Sequence, residues 1–171
     1  MSGENMHDAK QAAERLNLES VTEQATDSID PETAPDYCNE KIVAALDVLQ
    51  QRADYEALAE FLNSLRQGHL IVDVTGWSSK KAGPKARILR TTRGQAVLPL
   101  FTSMKQLRLS AGGERAKGAI LPARDALLLI KSAPFVAVEF DPGGAKQVVL
   151  RRFIELAAGN DEITAATLAK K

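Results

Sequence analysis

LPARDALLLIKSAPFVAVEFDPGG, residues 121–144, carries a helix start, a helix stop, a strand and a turn in that order. Pro122 stands where a helix favours proline, because the first helical N–H has no intrahelical acceptor and the ring presets the backbone angle. Ala126, Leu127 and Ile130 follow at helical positions, and Pro134 stops the helix. Phe135 to Phe140 is apolar on both alternating faces except at Glu139, which predicts a central strand covered on each side. Asp141-Pro142-Gly143-Gly144 then reads as a turn, proline presetting one angle and glycine permitting a positive one. Gln147 to Leu150 returns as the partner strand, and Arg151 to Ala158 begins a helix. Residues 159–171 are small and polar, and a flexible tail or frayed helix is expected there.

Upstream, Lys85 to Thr91 and Gln95 to Phe101 form a hairpin about Arg93-Gly94, and Thr102 or Ser103 caps a short helix through Leu109. His69 to Thr75 reads as a strand, ended by Gly76 and followed by a basic loop from Trp77 to Pro84. Ile42, Val43, Leu46 and Leu49 recur at helical spacing behind Asp36 as a cap. Leu58, Phe61, Leu62 and Leu65 form a second stripe between Asp54 and the terminating Gly68, so two helices, or one broken near Arg52 to Asp54, are predicted. Residues 1–35 hold no aromatic residue and few branched aliphatics, which predicts a disordered acidic arm with room for a marginal helix from Ala9 to Leu18. The expectation is one α/β (α+β) domain over residues 36–158, a central mixed β-sheet flanked by helices.

A chain of 171 residues buries one self-sufficient core. A single cysteine, Cys38, excludes an internal disulfide and a cysteine-rich zinc site, which points to the cytoplasm. No apolar run approaches the roughly 20 residues of a membrane span, and the N-terminus lacks a signal-peptide pattern. The formal charge sums to zero but is polarised: residues 1–68 hold 5 Lys and Arg against 14 Asp and Glu, a net of −9, and residues 69–171 hold 17 against 8, a net of +9.

Six stretches together resemble the SseB N-terminal domain family: NEKIVAAL, EFLNSLRQGHLIVDV, VLPLFTSMKQL, LPARDALLLI, FVAVEF and the DPGG turn, spanning residues 39–150. The resemblance implies a bacterial α/β domain and brings no catalytic residues onto this sequence. It also implies a second, C-terminal domain in longer members, for which this sequence has no room. The basic loop from Trp77 to Lys85 and the acidic arm before Asp36 depart from the family pattern.

The residues offer few catalytic sets. His7 and His69 are the only histidines, one in the arm and one at a strand start, too few for a triad or a histidine metal site. Cys38 near a helix N-terminus could gain thiolate character, although its ordinary role there is packing. Glu139 and Asp141 fall on one strand face, as an acid and base pair or a cation site would need, but an Asp before Pro-Gly ordinarily organises a turn. Neither Gly76 to Lys85 nor Gly112-Gly113 has phosphate-loop spacing.

The basic block is the strongest electrostatic feature: Lys80, Lys81, Lys85, Arg87, Arg90, Arg93, Lys105, Arg108, Arg115 and Lys117, interrupted only by Glu114, with Trp77 available to stack. It is a candidate polyanion site, with the acidic arm folding back as a competing mimic. The leading expectation is a non-enzymatic, cofactor-free cytoplasmic interaction module that takes a protein partner. Its expected surface is Trp77, Pro99, Phe101, Pro122, Arg124, Glu139 and Asp141. Nucleic-acid binding is the second reading, a small-molecule sensor the third, and self-association is compatible with each.

Overall fold

A computed structural model describes residues 15–17, 28–75 and 85–170. The loop residues Trp77, Lys80 and Lys81 and most of the acidic arm, including the expected helix from Ala9 to Leu18, lie outside the described residues. The elements are strand β1 (Arg15–Asn17), helices α1 (Glu40–Gln51) and α2 (Tyr55–Ser64), and strands β2 (His69–Asp73), β3 (Lys85–Arg87), β4 (Leu89–Arg90) and β5 (Ala96–Leu100). Helix α3 (Met104–Ser110), a short 3-10 turn (Gly113–Arg115), strand β6 (Gly118–Pro122) and helix α4 (Ala123–Leu128) follow. A second 3-10 turn (Leu129–Ser132), strands β7 (Ala137–Phe140) and β8 (Gln147–Leu150), and helices α5 (Arg151–Ala158) and α6 (Ala165–Ala169) complete the chain.

Two helices, not one broken helix, form the amphipathic pair. Asp54 restarts the second by accepting the Ala57 N–H at 2.8 Å, satisfying one of the donors a helix leaves orphaned at its start. The cap of α1 is Asn39 and not Asp36: Asn39 Oδ1 accepts from the Ile42 N–H at 3.2 Å. Its own N–H donates to Thr102 at 2.8 Å and its Nδ2 to the His69 carbonyl at 3.0 Å, which fixes the entry of α1 three residues after Asp36. Helix α2 ends at Ser64 with Leu65 as its cap, so Gly68 lies beyond the helix end and is not its terminating residue; it has φ +75, and a Cβ there would fall 2.5 Å from Asn39 Nδ2, which packs this bend against the cap of α1.

The central sheet runs β4-β5-β7-β8, with β5 and β7 parallel and the outer pairs antiparallel. Its inner row, Leu98, Leu100, Val138, Phe140 and Val149, is buried with the helices, and the Phe140 ring meets Phe61 of α2 edge-on at 5.0 Å. Strand β2 pairs antiparallel with β6 and joins the end of β5 through two bonds between Ile71 and Phe101, at 3.0 and 2.9 Å. The domain is therefore α+β with mixed sheets, and no helix among the described residues is long and apolar enough to cross a membrane.

Strand β6 replaces the expected helix start. Pro122 closes it, opposite His69, and the helix begins one residue later, where the Ala123 N–H donates to the Gly68 carbonyl at 2.8 Å. Gly118-Ala-Ile-Leu-Pro is too short and too bounded by glycine and proline to show strand periodicity, and its partner lies some 50 residues upstream in sequence. The positive backbone angles near the DPGG turn belong to Asp141 (φ 52) and Lys146 (φ 54), not to its glycines. Gly143 and Gly144 serve close approach instead: a Cβ on Gly143 would lie 3.2 Å from the Ser110 backbone, and one on Gly144 2.5 Å from Gln106 Oε1.

Both ends of the chain contribute more than the sequence suggests. A second apolar cluster, Ile71, Phe101, Met104, Leu107, Ala111 and Ile120, is covered by Ile29, Ala34 and Tyr37, and the Ile29 N–H donates to the Ile120 carbonyl at 3.0 Å. Residues 28–35 thus pack on the domain, and β1 pairs antiparallel with β3. At the other end Ile163 and Leu168 are buried, Thr164 and Thr167 form a reciprocal cap, and Arg66 donates to the carbonyls of Leu156, Ala157 and Asp161. Gly118 lies inside the second cluster, where a Cβ would come 2.6 Å from Ile71 Cγ2 and 2.7 Å from Leu107 Cδ2. Gly118→Ala is predicted to cost roughly 1–3 kcal/mol by overpacking, read as a lower urea midpoint at unchanged slope.

Candidate interaction edge

Strands β5 and β7, being parallel, deliver two chain exits to the same end of the sheet, and Asp141 joins them. Its carboxylate accepts the Thr102 N–H at 2.8 Å and the Thr102 hydroxyl at 2.7 Å, while its own N–H donates to Leu100 at 2.9 Å. Its carbonyl accepts from Gly144 at 2.8 Å and Lys146 at 3.0 Å, closing the turn that launches β8. Burial pushes the carboxyl above its ordinary pKa of 3.8, and the two Thr102 bonds oppose that shift. Asp141 is 3% exposed, so it organises the turn and is no surface contact. Glu139 points to the opposite face of β7 from the core and is half-buried, in a row with Pro99 and Val148.

Pro99 and Phe101 are also interior, Phe101 at 1% exposure. The even residues of β5 face β7, since Leu100 and Ala96 accept from Asp141 and Val136, so Pro99 faces the β4 side beyond the last β4 pair. No ladder bond is lost there, which is why a proline fits an inner strand. Pro122 is half-buried at the end of β6, and Arg124 donates to the Ala158 carbonyl at 2.9 Å and to Asn160, tying α4 to the chain after α5.

The described basic residues are spread over separate elements. Arg87 is exposed on β3, with Lys85 on the same strand, and Arg90 and Arg93 are exposed on the hairpin, Arg90 donating to the Gly94 carbonyl at 3.0 Å. Lys105 and Arg115 are exposed on α3 and the following turn. Arg108 is engaged by the docked acidic segment: it donates to the Pro35 carbonyl at 2.9 Å and pairs with Asp36 at 3.4 Å. It shares a cleft of about 490 Å³ with Lys117, Asp30, Glu32 and Glu114, so acidic side chains interrupt the field that the sequence presents as one block.

The Tyr37 hydroxyl accepts from the His69 N–H at 3.1 Å, and the two rings meet edge-on at 6.0 Å. Burial, then Glu40 and Asp141, push the Cys38 thiol up, away from the reactive thiolate. Among the described residues no three His, Cys, Asp or Glu side chains gather as metal ligands.

The surface that sequence reasoning missed is β8. Among the described residues it pairs with β7 alone, so its outer side is a sheet edge there. Because odd residues of β7 bond toward β5 and Arg151 donates to Val136 at 3.0 Å, Gln147 and Val149 face β7 and the backbone groups of Val148 and Leu150 face outward. The Val148 carbonyl accepts from the Gln147 side chain at 3.2 Å, as an outward carbonyl can. The side chains of Val148 and Leu150 are 50% and 48% exposed. Beside them a groove of about 380 Å³ runs between β8 and the α1–α2 elbow, lined by Leu49, Tyr55, Leu58 and Phe153.

The fold is an α+β domain with mixed sheets, in which β8 stands at a sheet edge among the described residues. Residues 42–153 match the SseB protein N-terminal domain, and the chain belongs to that family. No curated protein and no solved structure matches the chain.

Asp141 gives this region a titration signature. Because its folded pKa is raised, it contributes stability that is full below the ordinary aspartate value and is lost as pH rises through the folded value. The advantage of the native protein over Asp141→Asn is predicted to shrink over that interval in urea titrations. Asp141→Ala, which strands both Thr102 donors, is predicted to cost roughly 2–4 kcal/mol.

Proposed function

We propose that this chain is a non-enzymatic bacterial cytoplasmic interaction module whose working surface is the β8 edge and its groove. The observation that carries the reading is the half-exposure of Val148 and Leu150 on a strand whose outer backbone groups have no strand partner among the described residues. Exposed apolar edges invite pairing, and sheets ordinarily blunt them with charge, proline or a bulge; Gln147 to Leu150 carries none of these. The non-enzymatic part rests on how the candidate groups are used: the Asp141 carboxylate serves Thr102, and the Cys38 thiol is pushed toward its unreactive form.

Polyanion binding is the second reading, favoured by one observation: the docked segment presents Asp30, Glu32 and Asp36 to Arg108 and Lys117, as an internal competitor would. One experiment separates the two. The tagged chain and its Val148→Glu/Leu150→Glu variant are used to capture partners from the native cell, with proteins and nucleic acid measured in the same eluate. The predicted outcome is a protein that survives high salt with the native chain and is lost with the variant, whose stability changes by no more than about 0.5 kcal/mol. Nucleic acid that elutes steeply with salt and is indifferent to the variant would instead favour the second reading.

A further inference from the structure

We propose that the partner segment bound at β8 is an extended strand of alternating apolar residues with acidic residues near both ends, which adds to the sheet as a fifth strand. The inference rests on the reading of β8 as the working surface and names its occupant. The outward N–H groups of Val148 and Leu150, and the Val148 carbonyl that the Gln147 side chain reaches at 3.2 Å, are spaced to bond another extended backbone, while the Leu150 carbonyl caps the start of α5; a helix, whose backbone bonds are internal, cannot bond them. Their side chains then form the row against which alternate residues of the added strand pack.

Charge selects the ends of that strand. Lys146 precedes β8 and is exposed; Arg152 follows it, exposed, with its guanidinium 4.7 Å above the Phe153 ring that lines the groove. Neither is ion-paired among the described residues, whereas Arg151 is held by Glu155 at 2.7 Å; Asp54, which lines the groove, and Glu56 share the single Arg52 at 3.5 Å each, one positive charge against two negative. Strand β8 is therefore flanked by two positive charges six residues apart, neither ion-paired among the described residues. The same charges disfavour a second copy of this chain. The antiparallel register that sets Val148 opposite Leu150 of a copy brings Lys146 and Arg152, which flank β8, to the same end of the pair, two like charges together.

The test titrates the intact chain with the blocked heptapeptide Glu-Thr-Val-Thr-Val-Thr-Glu and with its counterpart ending in lysines, at low salt. The acidic peptide is expected to bind about tenfold more tightly, two surface pairs replacing two repulsions, and to slow amide exchange at Val148 and Leu150. The Lys146→Glu/Arg152→Glu variant is expected to reverse the preference. Equal binding of the two peptides, shifts confined to the Arg108 cleft, or a dimer that Val148→Glu dissolves would each overturn the proposal. The outcomes for the underlying reading are distinct. A captured partner lost in Val148→Glu/Leu150→Glu that leaves the Val148 and Leu150 amides exchanging freely keeps the β8 surface and refutes the added strand. Capture that ignores that variant refutes the surface itself.

Discussion

The architecture depends on one buried carboxylate. By accepting both donors of Thr102, Asp141 locks the exit of β5 to the exit of β7, the only parallel pair in the sheet. Parallel neighbours cannot be joined by a tight turn, so their register must be fixed by something other than the connection. Here a side chain does it. The consequences run in both directions along the chain. Upstream, Thr102 is held with its carbonyl toward Asn39, and Ser103 is placed to cap α3. Downstream, the Asp141 carbonyl gathers Gly144 and Lys146 and starts β8 at the sheet edge. Burying this group raises its pKa, and the two bonds from Thr102 recover part of that desolvation cost.

The sequence was readable where structure is local. Asp54, Ser103 and the Arg93-Gly94 turn act within a few residues of themselves, and each stands where capping and turn chemistry places it. Helix α5 and strands β2, β5 and β8 follow from apolar periodicity, as does the amphipathic pair α1 and α2. What escaped is set by partners distant in sequence. Strand β6 exists because β2 pairs with it, and Asn39 outranks Asp36 as a cap because Thr102 and His69 hold it. Residues 28–35 look too polar to fold, yet Ile29 and Ala34 cover a cluster assembled from four other segments. The glycines of DPGG are another instance: their place in a turn was legible, but α3 packing against them was not.

Function followed the same division. Composition exposed the charge asymmetry and the poverty of catalytic groups, both of which need no contacts to see. It could not show that Arg108 is already engaged by the acidic segment, or that Pro99 and Phe101 lie inside a strand whose neighbours cover them. Nor does a run such as QVVL announce that its last neighbour is missing; edge position is a property of strand order. The family assignment establishes the domain and says nothing of its partner; the proposal of an extended acidic strand rests on the β8 edge and on Lys146 and Arg152, which flank it.

Among the described residues β8 is a sheet edge whose outward backbone groups alternate with inward ones. Residue-resolved amide hydrogen exchange on the intact 171-residue chain tests it directly. The prediction is slow exchange at Val149, which bonds into the sheet, and fast exchange at Val148 and Leu150 on either side of it. Uniform protection of Val148, Val149 and Leu150 in the unliganded monomer would contradict it, because the edge would already be covered.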